Sequence, residues 1–275
     1  MDELIHATLH PDDFDIQFRR QGWLAFDYAH PEKADPLRLS QRWVDSMSRS
    51  YSPNAFFDLF GQNTFRKLLG YIYTHSPCSL SDLEGICCNT KTLGQHLEFM
   101  QDQELAEETE GKWRKATRYQ HVDNIGRTLE WYVAEWFKMV LAVPARYGVH
   151  VDELAEGGDL DVVAFVNGLR VWVECKSGRD ITDTHLRLFL RRAKGFSPDI
   201  AILLIDTDAS IATHARRLND ADTFGDPLEE QDKSIALYWG KRNVYVVNSR
   251  KSIAHSLAAV LRLYHAKVKY MSFLS

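Results

Sequence analysis

Few cysteines, no hydrophobic run long enough to cross a bilayer and no excess of positive charge together close off several classes of protein. Cys78, Cys87, Cys88 and Cys175 contain no CxxC pair. The adjacent Cys87 and Cys88 suit neither a zinc knuckle nor a disulfide framework, so buried, reduced thiols are expected. The longest apolar runs, such as IAILLI at 200–205, are far too short for a membrane span. The start, MDELIHATLH, carries acids where a secretory signal needs a basic region, so a soluble, cytoplasmic protein is expected. A formal net charge of −5 gives no global attraction for nucleic acid, and any such binding must rest on local patches. Phosphate-cradling GxxxxGK, GxGxxG after a strand, the GxSxG elbow and HExxH are all absent. The histidines are scattered, and His150-Val151-Asp152 reads as a strand edge rather than a metal site.

What is present is a globular composition. At 275 residues, 45% hydrophobic and 12% aromatic, the chain can bury one large core or two modest ones. Three segments are expected. Residues 1–60 have no legible role; they offer a possible strand at Trp23 to Tyr28 and a helix opened by Asp35-Pro36. Residues 61–120 show Phe65, Leu68, Leu69 and Ile72 at helical spacing, a second short helix opened by Ser79-Leu80-Ser81-Asp82, and a third marked by Leu93, Leu97 and Met100. A turn at Glu110-Gly111-Lys112 then joins two short strands.

Three helices and a hairpin resemble a winged helix-turn-helix in layout. Thr90 to Gln103 would be the recognition helix, with Lys112, Arg114, Lys115 and Arg118 on the wing. The recognition helix is poor in cations: Lys91 stands against Glu98 and Asp102, and Glu104, Glu107, Glu108 and Glu110 follow. Phosphate contacts need cations. Dimerisation or partner docking therefore stands beside DNA binding as a role for this segment, with the wing as the part expected to touch a backbone.

Residues 121–275 carry the chemistry. Residues 125–141 form a helix whose stripe is Leu129, Val133, Trp136, Phe137 and Val140, with Glu130 and Glu135 beside it and Pro144 ending the run. Tyr147, Val149 and Val151 alternate as a strand, and Gly157-Gly158 makes a turn. DLDVVAFV and LRVWVECKS then flank Asn167-Gly168, the strongest short-range hairpin signal a sequence offers. With Asn167 and Gly168 as the loop, Val166 pairs with Leu169, Asp161 faces Glu174 and Asp159 faces Lys176. All four charged residues fall on one face, opposed pairs having Cβ atoms about 5 Å apart.

Both faces of this hairpin are otherwise apolar, as in a central strand covered by helices, where an unpaired charge costs several kcal/mol. A divalent metal between the acids would relieve that cost. The alternative is a cross-strand Asp159–Lys176 salt bridge with Asp161 and Glu174 solvated at the rim.

A helix with Glu130, a strand with Asp161 and a strand ending Glu174-Cys175-Lys176 look like the PD-(D/E)XK nuclease superfamily. TLEWYV, GDLDVVAF and LRVWVECKSG are similar to the nuclease domains of CRISPR ancillary effectors activated by cyclic oligonucleotides. The resemblance covers about residues 124–206. The nucleotide-sensing Rossmann-like half of those effectors is not seen in residues 1–120, and the superfamily's proline before the aspartate is absent.

The resemblance implies an α/β fold: a restriction-endonuclease-like core, with a mixed central sheet flanked by helices, behind a mainly helical winged-helix-like domain. It implies phosphodiester hydrolysis with Mg²⁺ or Mn²⁺. Asp161, Glu174 and the Cys175 carbonyl would hold the metal. Lys176 would orient or deprotonate the attacking water and help stabilise the phosphorane. Glu130 would complete the site, with Glu135 as its fallback. Asp159 is either an outer acid or the partner of Lys176.

Downstream, residues 182–194 form a helix with Leu186, Phe189, Leu190 and Ala193 inward. Arg187, Arg191 and Lys194 lie on one outer face, either facing a nucleic-acid backbone or simply solvated. Residues 199–206 read as the next buried strand, Ser210 to Leu218 as a helix, 243–248 as a last strand and Ile253 to Val268 as a closing helix. The expected function is a metal-dependent nuclease in defence, restriction or mobile-element processing, a homodimer acting on DNA more than RNA. The alternative is a catalytically silent winged-helix regulator with a nuclease-like platform.

Overall fold

The computed structural model describes residues 11–21, 26–28, 55–87, 89–152, 154, 157, 159–177, 181–221, 228–233, 237–240 and 243–272. The helix expected at Asp35-Pro36, Cys88 and Gly158 lie outside the described residues. Two compact units divide the chain, Met1–Lys33 with Leu129–Ser275 and Ala34–Thr128.

The first unit contains α1 (Pro11–Arg20), β1 (Phe26–Tyr28), most of α6 (Gly126–Leu141), β5 (Ala145–Val151), β6 (Asp159–Val166), β7 (Leu169–Ser177), α7 (Asp183–Phe196) and β8 (Ile200–Asp206). It continues with α8 (Ala212–Ala221), β9 (Glu229–Asp232), β10 (Leu237–Gly240), β11 (Val244–Asn248) and α9 (Ile253–Ser272). Among the described residues, its eight strands form one mixed sheet in the order β1-β5-β6-β7-β8-β11-β10-β9. β6 runs antiparallel to both β5 and β7, while β7–β8 and β8–β11 are parallel, the first pair joined through α7 and the second through α8, β9 and β10.

Local sequence explains these elements. Asn167 and Gly168 both have positive φ, 52° and 81°, as a two-residue type I′ hairpin requires. The ladder runs from Val166↔Leu169 to Val162↔Val173, the register the turn dictates, and Asp161 and Glu174 come next beyond it. β8 is apolar along its length because it has parallel neighbours on both edges and both its faces are covered. Thr182 caps α7 by accepting from the His185 N–H.

One sheet face carries Val163, Phe165, Trp172, Ala201, Leu203 and Ile205 in a single core with Phe14 and Phe18 of α1 and Leu186, Phe189, Leu190 and Phe196 of α7. Trp172 and Phe189 lie with ring centroids 5.0 Å apart. Side chains two apart share a face, so Glu174 and Lys176 extend the row that Trp172 begins.

Several features of this unit depart from the sequence reading. α1 was not anticipated, although Phe14 and Phe18 are buried on the sheet, nor were β9 and β10. Val140, expected in the apolar stripe of α6, is 56% exposed, because the stripe drifts off the core toward the helix end.

The second unit contains α2 (Ala55–Phe60), α3 (Asn63–Thr74), β2 (Cys78–Ser79), α4 (Leu80–Glu84), α5 (Thr90–Asp102), β3 (Ala106–Thr109), β4 (Lys112–Lys115) and a 3₁₀ turn, Thr117–Tyr119. Ser79 and Asp82 form a capping box on α4, and Asn89 caps α5 through the amides of Lys91 and Thr92. β2, β4 and β3 make a three-stranded sheet. Phe65, Leu68, Leu69, Ile72, Leu97 and Met100 are fully or nearly fully buried, as their spacing requires. Tyr73 closes this core by donating its hydroxyl to the Leu105 carbonyl at 2.9 Å, and burial holds its ionisation far above the ordinary tyrosine range. Cys78, Cys87 and Cys175 are free and buried.

Candidate metal-binding and catalytic site

The acids meet where the β6–β7 ladder gives way. An Asp161 carboxylate oxygen accepts the backbone N–H of Cys175 at 2.7 Å, taking the place of the next ladder bond. This ties Asp161 to the strand that carries Glu174. Glu174 is 3% exposed. Lys176 donates to its Oε1 at 2.6 Å, while its Oε2 is buried without a hydrogen bond.

Glu130, on α6, is also buried. Burial of the Asp161 carboxyl, then the neighbouring Glu174 and Glu130, raise its pKa well above the ordinary aspartate value, against the pull of Lys176 and the Cys175 N–H. Burial alone would lower Lys176, but Glu174 and Asp161 outweigh it and hold the ammonium above its ordinary value. Three acids thus share a poorly solvated place. Burial pushes the Cys175 thiol well up, with Asp161 and Glu130 adding to the effect, so this thiol is inert.

Other expected positions resolve differently. Asp159 is not across from Lys176 in an ion pair: its carboxylate meets His150 Nδ1 at 3.3 Å, since β5 brings His150 opposite it. The solvated-rim alternative fails for Glu174, which is buried. Glu135 is committed to Lys138 at 2.7 Å, leaving Glu130 as the acid of α6 that bears on Asp161. Arg187, Arg191 and Lys194 are exposed on α7.

On the hairpin of the second unit, Lys112, Arg114 and Lys115 line a cavity of about 450 Å³ with Ser76, Pro77 and Gln120. Lys115 donates to the Val122 carbonyl at 2.9 Å, and Arg118 to the Gln103 carbonyl at 2.6 Å with Glu104 3.0 Å away. Both are therefore partly spent on the fold.

Sequence reasoning missed Arg192. It reaches the acids from α7, its Nη1 3.9 Å from Glu174 Oε2, and it also binds the Gly157 and Asp159 carbonyls. Its neighbours Arg191 and Lys194 marked the outer face of the helix. Position 192 lies between that face and the buried Phe189 and Leu190, which was the available signal.

Among the described residues, no three His, Cys, Asp or Glu side chains converge as a metal cage. A hard divalent ion needs fewer protein ligands, because Mg²⁺ keeps several waters and takes one or two carboxylates. The donor chemistry fits such an ion: two adjoining carboxyl groups, one with a buried oxygen lacking a hydrogen bond, in a desolvated place where burial, Glu174 and Glu130 oppose ionisation of Asp161.

No protein-family model matches the chain, and no curated protein does. Among solved structures it is similar to Can2 from Sulfobacillus thermosulfidooxidans in complex with cyclic tetra-adenylate, at 15% identity and TM-score 0.46, over 81% of this chain and 57% of that one. It is also similar to protein VC1899 from Vibrio cholerae, at 23% identity and TM-score 0.38, over 66% of this chain and 48% of that one. The chain thus spans about half the length of the structures it matches. Among the described residues, no helix is long and apolar enough to cross a membrane.

Proposed function

We propose that this chain is a metal-dependent nuclease of the PD-(D/E)XK type that hydrolyses phosphodiester bonds in DNA, in a defence or restriction setting. One observation carries the reading: Asp161 and Glu174 adjoin on neighbouring strands with Lys176 on Glu174, one Glu174 oxygen being buried without a hydrogen bond. A buried acid pair of this kind is costly unless it serves a cation.

Asp161, Glu174 and the Cys175 carbonyl would hold Mg²⁺ or Mn²⁺, and Glu130 would complete the set. When bound, the ion supplies charge to the scissile phosphate and lowers the pKa of a coordinated water. Lys176 orients the attacking water and places an ammonium beside the charge that builds on the phosphate. Arg187, Arg191 and Lys194 offer cations to the substrate backbone, as do Lys112 and Arg114 on the hairpin of a winged-helix-like second unit. A homodimer follows if both strands of a duplex are cut, since one such site cuts one strand.

A second reading has its own support. Lys176 and Arg192 already place two cations on Glu174, so the acids could persist without metal in a DNA- or protein-binding regulator. The readings part on incubation of plasmid and single-stranded DNA and RNA with Mg²⁺ or Mn²⁺. Cleavage by wild type and not by Lys176→Ala or Glu174→Gln supports the nuclease. No cleavage by wild type across these substrates and metals rejects it.

A further inference from the structure

Arg192 does more than offset charge. Its side chain is 11% exposed and its guanidinium points inward from α7. Nε and Nη2 donate to the Gly157 carbonyl at 3.2 and 2.8 Å, and Nη1 donates to the Asp159 carbonyl at 3.4 Å. The same Nη1 stands 3.9 Å from the Glu174 oxygen that has no hydrogen bond.

Gly157 has φ of +61° and, among the described residues, nothing lies within 4 Å of where a Cβ would stand, so packing at that point does not set its backbone. Asp159 begins β6, and Asp161 lies two residues further along the same strand. A planar fork of donors suits such a task, since one side chain can fix two carbonyls in a single geometry.

We infer that Arg192 is a positioning residue for the acid pair: it locks the start of β6 to α7 and thereby sets where Asp161 stands relative to Glu174. The inference rests on the proposed metal site. Two effects of Arg192 on an incoming cation oppose each other. Its charge repels the ion, while its fork holds an oxygen ligand in place. The second prevails, because three donor contacts reach carbonyls at hydrogen-bond distance and a single nitrogen faces Glu174 at ion-pair distance.

The test is Mn²⁺ titration followed by electron paramagnetic resonance on the full chain, comparing wild type, Arg192→Ala and Arg192→Lys. Arg192→Ala weakens Mn²⁺ binding about 10–100-fold, the cost common for groups that orient metal ligands. In cleavage assays the metal concentration at half-maximal rate rises while kcat at saturating metal stays close to wild type. Amide exchange speeds up at the start of β6. Arg192→Lys keeps a cation but not the fork, so it falls between the two.

A folded Arg192→Ala protein that binds Mn²⁺ as tightly as wild type, or more tightly, overturns the inference and leaves the nuclease reading standing. If Arg192→Ala does not fold, wild-type affinity in Arg192→Lys overturns it equally. A wild-type protein that binds no Mn²⁺ overturns the inference together with the proposed function.

Discussion

Replacing Lys176 by alanine separates a catalytic lysine from a merely structural one. The Lys176–Glu174 contact is 2.6 Å long, and at an effective dielectric near 20 its gross attraction is about 6 kcal/mol. Most of that is offset. Lys176 keeps 28% of its side chain exposed, and Arg192 remains 3.9 Å from the other Glu174 oxygen to share the charge. The net loss should therefore be about 2 kcal/mol, within the range for hydrogen bonds to charged groups and below the penalty for breaking a fully buried pair. For a unit of this size that is roughly 4–8 °C in thermal midpoint, measured in EDTA. Added Mg²⁺ should recover part of it, because the freed Glu174 oxygen becomes a better ligand. Cleavage should fall about 10²–10⁴-fold at saturating metal, the usual contribution of a positioned proton-transfer group. Cleavage within about tenfold of wild type under those conditions would refute the role given to Lys176.

Four further outcomes follow from the same structure. Because the Lys176 pKa is raised in the fold, its stabilisation is complete below the unfolded value of about 10.4 and lost as pH rises through the folded one. The wild-type minus Lys176→Ala difference in urea unfolding should thus be flat near neutrality and vanish in alkali. Asp161 is also raised, and as an acid it makes the metal-free protein lose stability as pH climbs from about 3.9 through its folded value; Asp161→Asn should flatten that slope. Gly168→Ala should cost about 1 kcal/mol in urea unfolding, because φ is +81° while nothing stands within 4 Å of the added Cβ. Mn²⁺ affinity should be unchanged in that variant, the ladder from Val166↔Leu169 to Val162↔Val173 keeping its register; a lost site would contradict this. Lys112→Glu with Arg114→Glu should weaken DNA binding and flatten its salt dependence without altering Mn²⁺ affinity, and unchanged binding would remove the hairpin of the second unit from the substrate surface.

The sequence by itself determined whatever depends on neighbours a few residues apart. The Asn167-Gly168 turn fixes hairpin register, and register puts Asp161 beside Glu174 with Lys176 on the same face, because side-chain period in a strand is two. The uniformly apolar 200–205 run announces a strand covered on both faces, and the Ser79–Asp82 box announces a helix start. Only the tertiary structure decided the rest. Asp159 goes to His150 rather than Lys176 because β5 lies against β6, a pairing that no local pattern encodes. Phe14 and Phe18 become core through contact with Phe165, far along the chain, while β9 and β10 carry too little apolar alternation to be seen before they pair with β11. Arg192 sits among cations that read as one outer face, and its inward turn exists because α7 lies over the start of β6. Periodicity reports which side of an element is apolar, whereas the partner of a charge is set by what the fold brings opposite it.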